Sequence, residues 1–142
     1  MVRRGRAKSV DPAQALRYRA VGEALLRSAG AMVELSDLDR YYGNAIAIVC
    51  IHAVIAYNDA LTVAFGGVKS TEGEHARAAD VLQSALGPRA APEMVKLARS
   101  LLTLKDRVSY QGQYYTGEEA AQLYHRAAEF CAWAERMYQE RP

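Results

Sequence analysis

One acidic residue of this sequence, Asp59, lies among apolar side chains, and its negative charge needs a partner. Asp59 lies in IHAVIAYNDALTVAFGG, residues 51–67, which is typical of a nearly all-apolar helix. A buried charge is costly unless it is paired or used in a site. The cations that can reach it are Lys69, just beyond this helix, and Lys105 or Arg107 from a later segment. A structural ion pair and a ligand contact both remain open, and they overlap because a site must first be organised.

Three histidines are available for acid–base chemistry. His75 falls in the first turn of a predicted helix, where the positive end of the helix dipole disfavours its protonated form. A neutral imidazole there can exchange a hydrogen bond with a ligand, or it can tether the turn before it. His52 sits deep in an apolar helix and is predicted to be a hydrogen-bonded core residue, whereas His125 is predicted to lie at the surface.

The segment KDRVSYQGQYY, residues 105–115, is the best candidate for recognition because it joins cations to tyrosines in one polar connection. Basic side chains such as Arg107 neutralise phosphate, and a tyrosine such as Tyr110 can stack on a base or anchor a protein partner. A loop whose tyrosines cover the end of the helical domain is an equally open interpretation.

The sequence signatures of the common enzyme classes are missing. The chain has no GxxxxGK[ST] phosphate loop, no GxGxxG after a strand, no HExxH and no GxSxG. Lys69 and Ser70 follow two glycines, but they do so between two helices, so no phosphate loop is predicted. No Cys/His cluster has zinc spacing, and Cys50 and Cys131 lie in apolar helical segments as predicted buried thiols. We therefore expect no metal and no cofactor.

Charge is unevenly distributed along the chain. The 142 residues carry a formal net charge of +2. Four cations and no acid lie in the first eight residues, MVRRGRAK, so the rest of the chain sums to −2 and is close to neutral. We predict a basic, disordered tail at residues 1–10, which attracts phosphate weakly at most, and a single domain at residues 11–142.

Neither a secretory signal nor a membrane span is predicted. The basic start runs into DPAQALRYRA instead of an apolar segment. The apolar run at residues 45–57 is shorter than the ~20 residues needed to cross a bilayer. We expect a cytoplasmic protein that has no contact with a membrane.

Helix-start and helix-stop residues divide the chain into five helices. They run over residues 12–33 and 40–65, from a Thr71–Glu74 capping box to Leu86, from Pro92 onward, and from a Thr116–Glu119 capping box to Gln139. The second helix is apolar on most sides and should be central. The first has a stripe predicted to face inward, formed by Leu16, Ala20, Val21, Ala24 and Leu25. Since no segment alternates as a strand does, we predict an all-α, up-and-down bundle with antiparallel neighbours.

Two stretches of the sequence resemble bacterial HEPN-domain proteins. One is HAVIAYNDALTVAFGG followed by KS, GEH and ARAADVL, and the other is LLTLKDRVSYQGQYYTGEEAAQLYHRAAEFCAWAE. The resemblance covers roughly residues 40–138 and implies an all-helical bundle that often forms a homodimer. It also implies a place among metal-independent ribonucleases, toxin partners of minimal nucleotidyltransferases, and non-catalytic relatives that bind nucleotides or RNA.

The ribonuclease members of that family use an arginine followed, after four to six residues, by a histidine. No histidine here has an arginine in that window, at residues 45–47, 68–70 or 118–120. We therefore predict a non-catalytic module that binds RNA, a nucleotide or a protein partner such as a nucleotidyltransferase. The residues that the resemblance carries over as its polar site are Asp59, Lys69, Ser70, His75, Arg107 and Tyr110. A diverged ribonuclease with His75 as general base, and an accessory subunit that docks through its tyrosine-rich loop, remain the alternatives.

Overall fold

The chain folds into a bundle of helices. The computed structural model describes residues 7–35, 42–71, 77–109 and 112–142, and 82% of these residues are helical. In chain order the elements are β1 (Ala7–Ser9), α1 (Ala15–Glu34), α2 (Tyr42–Gly66), β2 (Val68–Ser70), α3 (Ala78–Leu86), α4 (Pro92–Thr103), α5 (Lys105–Ser109) and α6 (Gly117–Gln139). Single 3-10 turns precede α1 and α4, at Pro12–Gln14 and Gly87–Arg89. The predicted all-α bundle is confirmed, with five helices of nine or more residues in the described ranges.

The central helix of the bundle is α2. It packs against α1, α3 and α6, and Ile46, Ile51 and Leu61 are among the largest side chains that are fully buried. By length and composition α2 is apolar enough to cross a membrane, but 78% of its most apolar window is buried inside the bundle, as in the core helix of a soluble protein. Cys50 and Cys131 are buried free thiols, as predicted.

Helix boundaries follow the capping residues. Thr116 accepts a hydrogen bond from the backbone N–H of Glu119, and the Glu119 carboxylate accepts one from the backbone N–H of Thr116, so the predicted capping box opens α6. Pro92 begins α4 at a position whose N–H would have no partner within the helix. The other predicted box, Thr71–Glu74, falls largely outside the described residues.

A short antiparallel ribbon ties the N-terminal segment to the body of the protein. β1 pairs with β2, and Lys8 stands opposite Lys69 at the centre of the register. The backbone N–H of Val10 then donates a hydrogen bond to the carbonyl of Gly67 over 2.8 Å. Gly67 has a φ of 62°, a left-handed conformation that glycine adopts readily, and it turns the chain from α2 into β2.

Two local elements depart from the prediction. Residues 1–10 are predicted to be a disordered tail. In the structure, residues 7–10 instead form a strand and a hydrogen-bonded extension of it, while residues 1–6 lie outside the described ranges. Strands of three residues are too short for an alternating pattern to be recognised in a sequence. The first part of the loop predicted at residues 105–115 is the short helix α5.

The face that α1 turns inward differs from the predicted one. Leu16 and Val21 of the predicted stripe are 58% and 53% exposed, and Leu25 packs partly buried against the core. The enclosed face carries small residues, and a Cβ added at Gly22 would lie 2.7 Å from the ring of Tyr57 on α2. The prediction of an inward stripe is therefore wrong, because close approach of α1 to α2 selects the small-residue face, which helical periodicity alone does not distinguish.

The segment before α6 is fastened to the start of α2. The side chain of Asn44 accepts a hydrogen bond from the backbone N–H of Tyr115 over 3.0 Å and donates one to the carbonyl of Gln113 over 2.7 Å. A Cβ added at Gly43 would lie 2.1 Å from the carbonyl oxygen of Tyr115. Tyr115 is buried, whereas Tyr114 is 50% exposed. The tyrosines of this segment therefore divide between covering the bundle end and facing solvent.

Substitution of Gly43 by alanine tests this close approach. The new methyl group would overlap a backbone carbonyl that cannot rotate away, so Gly43→Ala should lower the free energy of unfolding by about 1–3 kcal/mol. The loss should appear despite the gain of up to ~1 kcal/mol that alanine brings to a helix. Urea melts measure it, and Ser84→Ala on the exposed side of α3 should stay within about 0.5 kcal/mol of the parent. A Gly43→Ala protein as stable as the parent contradicts the packing.

Candidate functional site

The ion pair predicted for Asp59 forms near the end of α2. Lys69 Nζ lies 3.9 Å from Asp59 Oδ2. The turn at Gly67 brings β2 back beside α2, which places Lys69 within reach of the carboxylate. Lys69 Nζ also lies 5.0 Å from the ring centroid of Tyr18 on α1. Since a cation at this distance is attracted to an aromatic face, Lys69 is held both by Asp59 and by Tyr18.

Burial sets the charge state of Asp59. Its side chain is 8% exposed, while that of Lys69 is 30% exposed. Loss of hydration raises the pKa of Asp59 to about 6, and the positive charge of Lys69 opposes that rise. At neutral pH the carboxylate is therefore largely ionised and paired. It takes up a proton as the pH falls through the pKa of about 6.

Two further polar residues are buried beside Asp59. Asn58 and Thr62 are both fully enclosed. The Thr62 hydroxyl donates to the carbonyl of Asp59 over 3.2 Å, and Asn58 Nδ2 donates to the carbonyl of Ala78 at the start of α3 over 3.1 Å. Asn58 Oδ1 has no hydrogen-bond partner among the described residues. The Asn58 bond joins the last turns of α2 to the start of α3 near the ion pair, whereas the Thr62 bond lies within α2.

The ribbon places a second cation next to Lys69. Lys8 stands directly opposite it in the register, and side chains that are directly opposite project from the same face of a ribbon. Like charges in this arrangement are destabilising. In the sequence, three more cations lead directly into β1, namely Arg3, Arg4 and Arg6. We call the ribbon with Lys8 and Lys69, together with Asp59 and Tyr18, which both contact Lys69, the cationic corner.

Three of the six predicted site residues lie together at the cationic corner. Asp59 and Lys69 form the ion pair, and Ser70 follows Lys69 in β2, where alternation directs its side chain to the other face of the ribbon. His75 and Tyr110 lie outside the described residues, so the catalytic role predicted for His75 and the binding role predicted for Tyr110 stay predictions.

Arg107 lies apart from the cationic corner. Its carbonyl accepts a hydrogen bond from the N–H of Gln113, and the Gln113 carbonyl in turn bonds the side chain of Asn44 at the start of α2. Asn44 and Asp59 are fifteen residues apart on one helix, which is about 22 Å along the axis. The expectation that Asp59 orients Arg107 as well as Lys69 is not met, because the ion-pair partner of Asp59 among the described residues is Lys69.

Tyr18 and Lys8 belong to the cationic corner and were not predicted as site residues. Lys8 carried a signal, since it is part of the basic N-terminal run. Its partner in the ribbon is about 60 residues away in sequence, and a single sequence does not reveal such a pairing. Tyr18 carried no signal of its own, because a tyrosine on a helix is compatible with core, surface and site alike.

The histidines in the described ranges are both exposed. The prediction of a surface position is confirmed for His125, and the prediction of a core position is wrong for His52, which lies at an exposed position of α2. Partial burial, and then the charge of Lys105, lower the pKa of His52. Among the described residues no group of three His, Cys, Asp or Glu side chains is arranged to hold a metal ion.

Comparison with known proteins shows a shared fold but does not assign a family. Neither a protein-family model nor a curated protein matches the chain. The structure is similar to the crystal structure of TT1696 from Thermus thermophilus, with a TM-score of 0.66 and 20% sequence identity over 87% of this chain and 97% of that one. At this identity the likeness shows that the two chains share a helical fold.

Replacement of Asp59 by asparagine tests its charge state through stability. A raised pKa means that the folded protein holds the proton more tightly than the unfolded chain, so ionisation costs stability. The cost is absent below the ordinary pKa of 3.8, grows up to the folded pKa of about 6, and stays constant above it. A shift of this size corresponds to about 3 kcal/mol.

The stability of Asp59→Asn relative to the parent should therefore rise between pH 4 and pH 6 and then level off, as measured by urea melts at each pH. Asp106→Asn, at an exposed carboxylate on α5, controls for the loss of one negative charge. If the difference between Asp59→Asn and the parent does not change with pH, the carboxylate does not titrate in this range and the burial argument fails.

Proposed function

We propose that the protein is a non-catalytic, HEPN-like module that binds RNA through its phosphates at the cationic corner. The observation that carries this proposal is the position of Lys8 directly opposite Lys69. Lysines directly opposite each other put two like charges on one face of the ribbon, and an anion bound at this face would neutralise both. A phosphodiester supplies such an anion, and lysine binds it chiefly as a point charge.

The surroundings of the two lysines favour a chain of phosphates over a single one. Arg3, Arg4 and Arg6 precede β1 in the sequence, while the remainder of the protein is nearly neutral. Positive charge is therefore concentrated in the N-terminal segment of the sequence. Contacts of this kind fix a nucleic-acid backbone and carry no base-sequence information. The proposal expects weak sequence preference and a strong dependence on salt.

Asp59 modulates the affinity of Lys69 for an anion in this proposal. The ionised carboxylate is paired with Lys69 and repels an incoming phosphate, because both are negative. Binding and protonation of Asp59 should therefore favour each other, which links affinity to pH.

The proposal contains no catalytic step, since the arginine–histidine spacing of the ribonucleases is absent from the sequence. A role for His75 as general base stays a prediction. Docking of a protein such as a nucleotidyltransferase is the second candidate function, and it is favoured by Tyr114, which is 50% exposed beside the buried Tyr115. For either function we propose a cytoplasmic location.

The first test removes the two facing cations. Lys8→Gln combined with Lys69→Gln should weaken binding of a labelled 20-nucleotide oligouridine by roughly 10- to 30-fold at 0.1 M salt, because two phosphate contacts are lost. The slope of log affinity against log salt should become shallower by about 1.4. Fluorescence anisotropy between 50 and 200 mM salt gives both quantities, and thermal melting shows that the variant is folded.

The control removes the same charge elsewhere. Lys96→Gln with Arg126→Gln, on α4 and α6, should leave affinity within about twofold of the parent because distant surface charges are screened. Arg107→Gln alone should behave in the same way. Equal weakening in the control and in the lysine variant would show that binding depends on overall charge and not on the cationic corner.

Two outcomes would overturn the proposal. One is absence of oligouridine binding by the parent. The other is RNA cleavage in EDTA that His75→Ala abolishes, which would favour the ribonuclease alternative.

The second test follows from the charge state of Asp59. As the pH falls from 7.5 to 5.5, the pKa of about 6 predicts increasing protonation, and affinity for the same oligouridine should rise by up to about tenfold if binding raises that pKa by one unit. Asp59→Asn should bind more tightly at pH 7.5 and lose this part of the pH dependence. An identical pH profile in the parent and in Asp59→Asn would separate Asp59 from the binding site.

A further inference from the structure

The cations of the cationic corner do not distinguish one phosphate chain from another. Lys8 and Lys69 are point charges, which bind a phosphate without regard to what is attached to it. Recognition of bases needs hydrogen bonds to their edges or an aromatic face on which a base stacks. The two other members of the corner, Tyr18 and Asp59, are the side chains that could supply such contacts.

Neither of these two side chains is open to a base. Lys69 Nζ lies 5.0 Å from the ring centroid of Tyr18, so a cation covers the ring face that points to the corner. The Asp59 side chain is 8% exposed, and its carboxylate is paired with Lys69. Ser9 and Ser70 belong to the same ribbon, but alternation turns their side chains to the face opposite the lysines. The described part of the corner therefore meets a polyanion through ammonium groups alone.

The spacing of the two ammonium groups is adjustable. Side chains directly opposite each other in a ribbon have Cβ atoms about 4.5–5.5 Å apart. Lys69 contacts Asp59 and Tyr18, whereas Lys8 lies in a strand that is exposed throughout. The flexible stem of Lys8 lets its ammonium group move toward that of Lys69 or away from it. The pair can therefore bind phosphates that are directly linked as well as phosphates that a ribose separates.

The balance of charge at the corner differs from that at other ion pairs of the molecule. Arg19 pairs with Glu135, and Arg99 pairs with Asp80, each cation with one acid. The cationic corner holds two lysines and one acid. Since the whole chain has a formal net charge of only +2, a polyanion gains more from such a local excess of cations than from net charge.

We propose that linear inorganic polyphosphate is a second ligand of the cationic corner and competes with RNA there. Neighbouring phosphates of this polymer share an oxygen atom, so its negative charges follow one another more closely than those of RNA. A denser line of charge holds more condensed counterions, and their release drives binding to lysines. Polyphosphate should therefore bind at least as tightly as an RNA with the same number of phosphates. The competition rests on the proposed RNA binding, whereas binding of polyphosphate itself does not.

A competition experiment in buffer with EDTA, which removes divalent cations, tests the proposal. The parent is half-saturated with labelled oligouridine of about 20 nucleotides at about 0.1 M salt, and unlabelled polyphosphate of about 20 phosphates is added. The anisotropy should fall at a polyphosphate concentration no higher than that of unlabelled oligouridine with the same effect. Orthophosphate at the same total phosphate should displace no RNA, because linked charges bind together and separate ions do not.

Titration calorimetry of polyphosphate into RNA-free protein locates the site. Lys8→Gln combined with Lys69→Gln should weaken polyphosphate binding by roughly 10- to 30-fold, as it should weaken RNA binding. Lys96→Gln with Arg126→Gln removes the same charge from α4 and α6, and it should leave polyphosphate affinity within about twofold of the parent.

The outcomes separate the polyphosphate site from RNA binding. Polyphosphate binding that depends on the two lysines, without oligouridine binding, would support the site and overturn RNA binding. Oligouridine binding that polyphosphate does not displace would overturn the polyphosphate proposal alone. Equal weakening of polyphosphate binding in the control and lysine variants would also overturn it, because the corner is then not the site. If neither polymer binds, both proposals fall.

Discussion

Burial of α2 is the constraint on which the rest of the structure depends. This helix of 25 residues is apolar on nearly every side, and it must be enclosed by other helices to leave water. α1, α3 and α6 enclose it. Glycine at position 22 lets α1 approach the ring of Tyr57, and glycine at position 43 lets the segment before α6 approach the start of α2. The covering helices are therefore placed by how closely each can lie against the central one.

The same burial gives Asp59 its properties. A carboxylate near the end of so apolar a helix loses most of its hydration, which raises its pKa. A nearby cation stabilises the ionised form and opposes this rise. The turn at Gly67 returns the chain to supply Lys69. A well-packed apolar residue at position 59 would serve stability at least as well, because buried ion pairs are weak stabilisers. The ion pair is therefore weak evidence of a contribution to folding stability.

Features that depend on neighbours in the sequence were predictable, and features that depend on distant ones were not. The Thr116–Glu119 capping box and the proline at position 92 act within one turn, so the starts of α6 and α4 could be read directly. The need of Asp59 for a cation was likewise visible in its apolar surroundings. The inward face of α1 was not, because it depends on the shape of α2. The pairing of Lys8 with Lys69 joins segments about 60 residues apart, and no local sequence pattern around either lysine predicts it.

The ribbon also has a consequence for the order in which the chain folds. The segment between its two strands contains α1 and α2. The strands can pair only after these two helices have docked as a hairpin, because docking brings the two ends of this segment together. With only three residues in each strand, the ribbon belongs to the least stable part of the native state. Its backbone amides should exchange with solvent through local opening, long before those of α2 do. The N-terminal segment can thus leave and rejoin the bundle without unfolding the core.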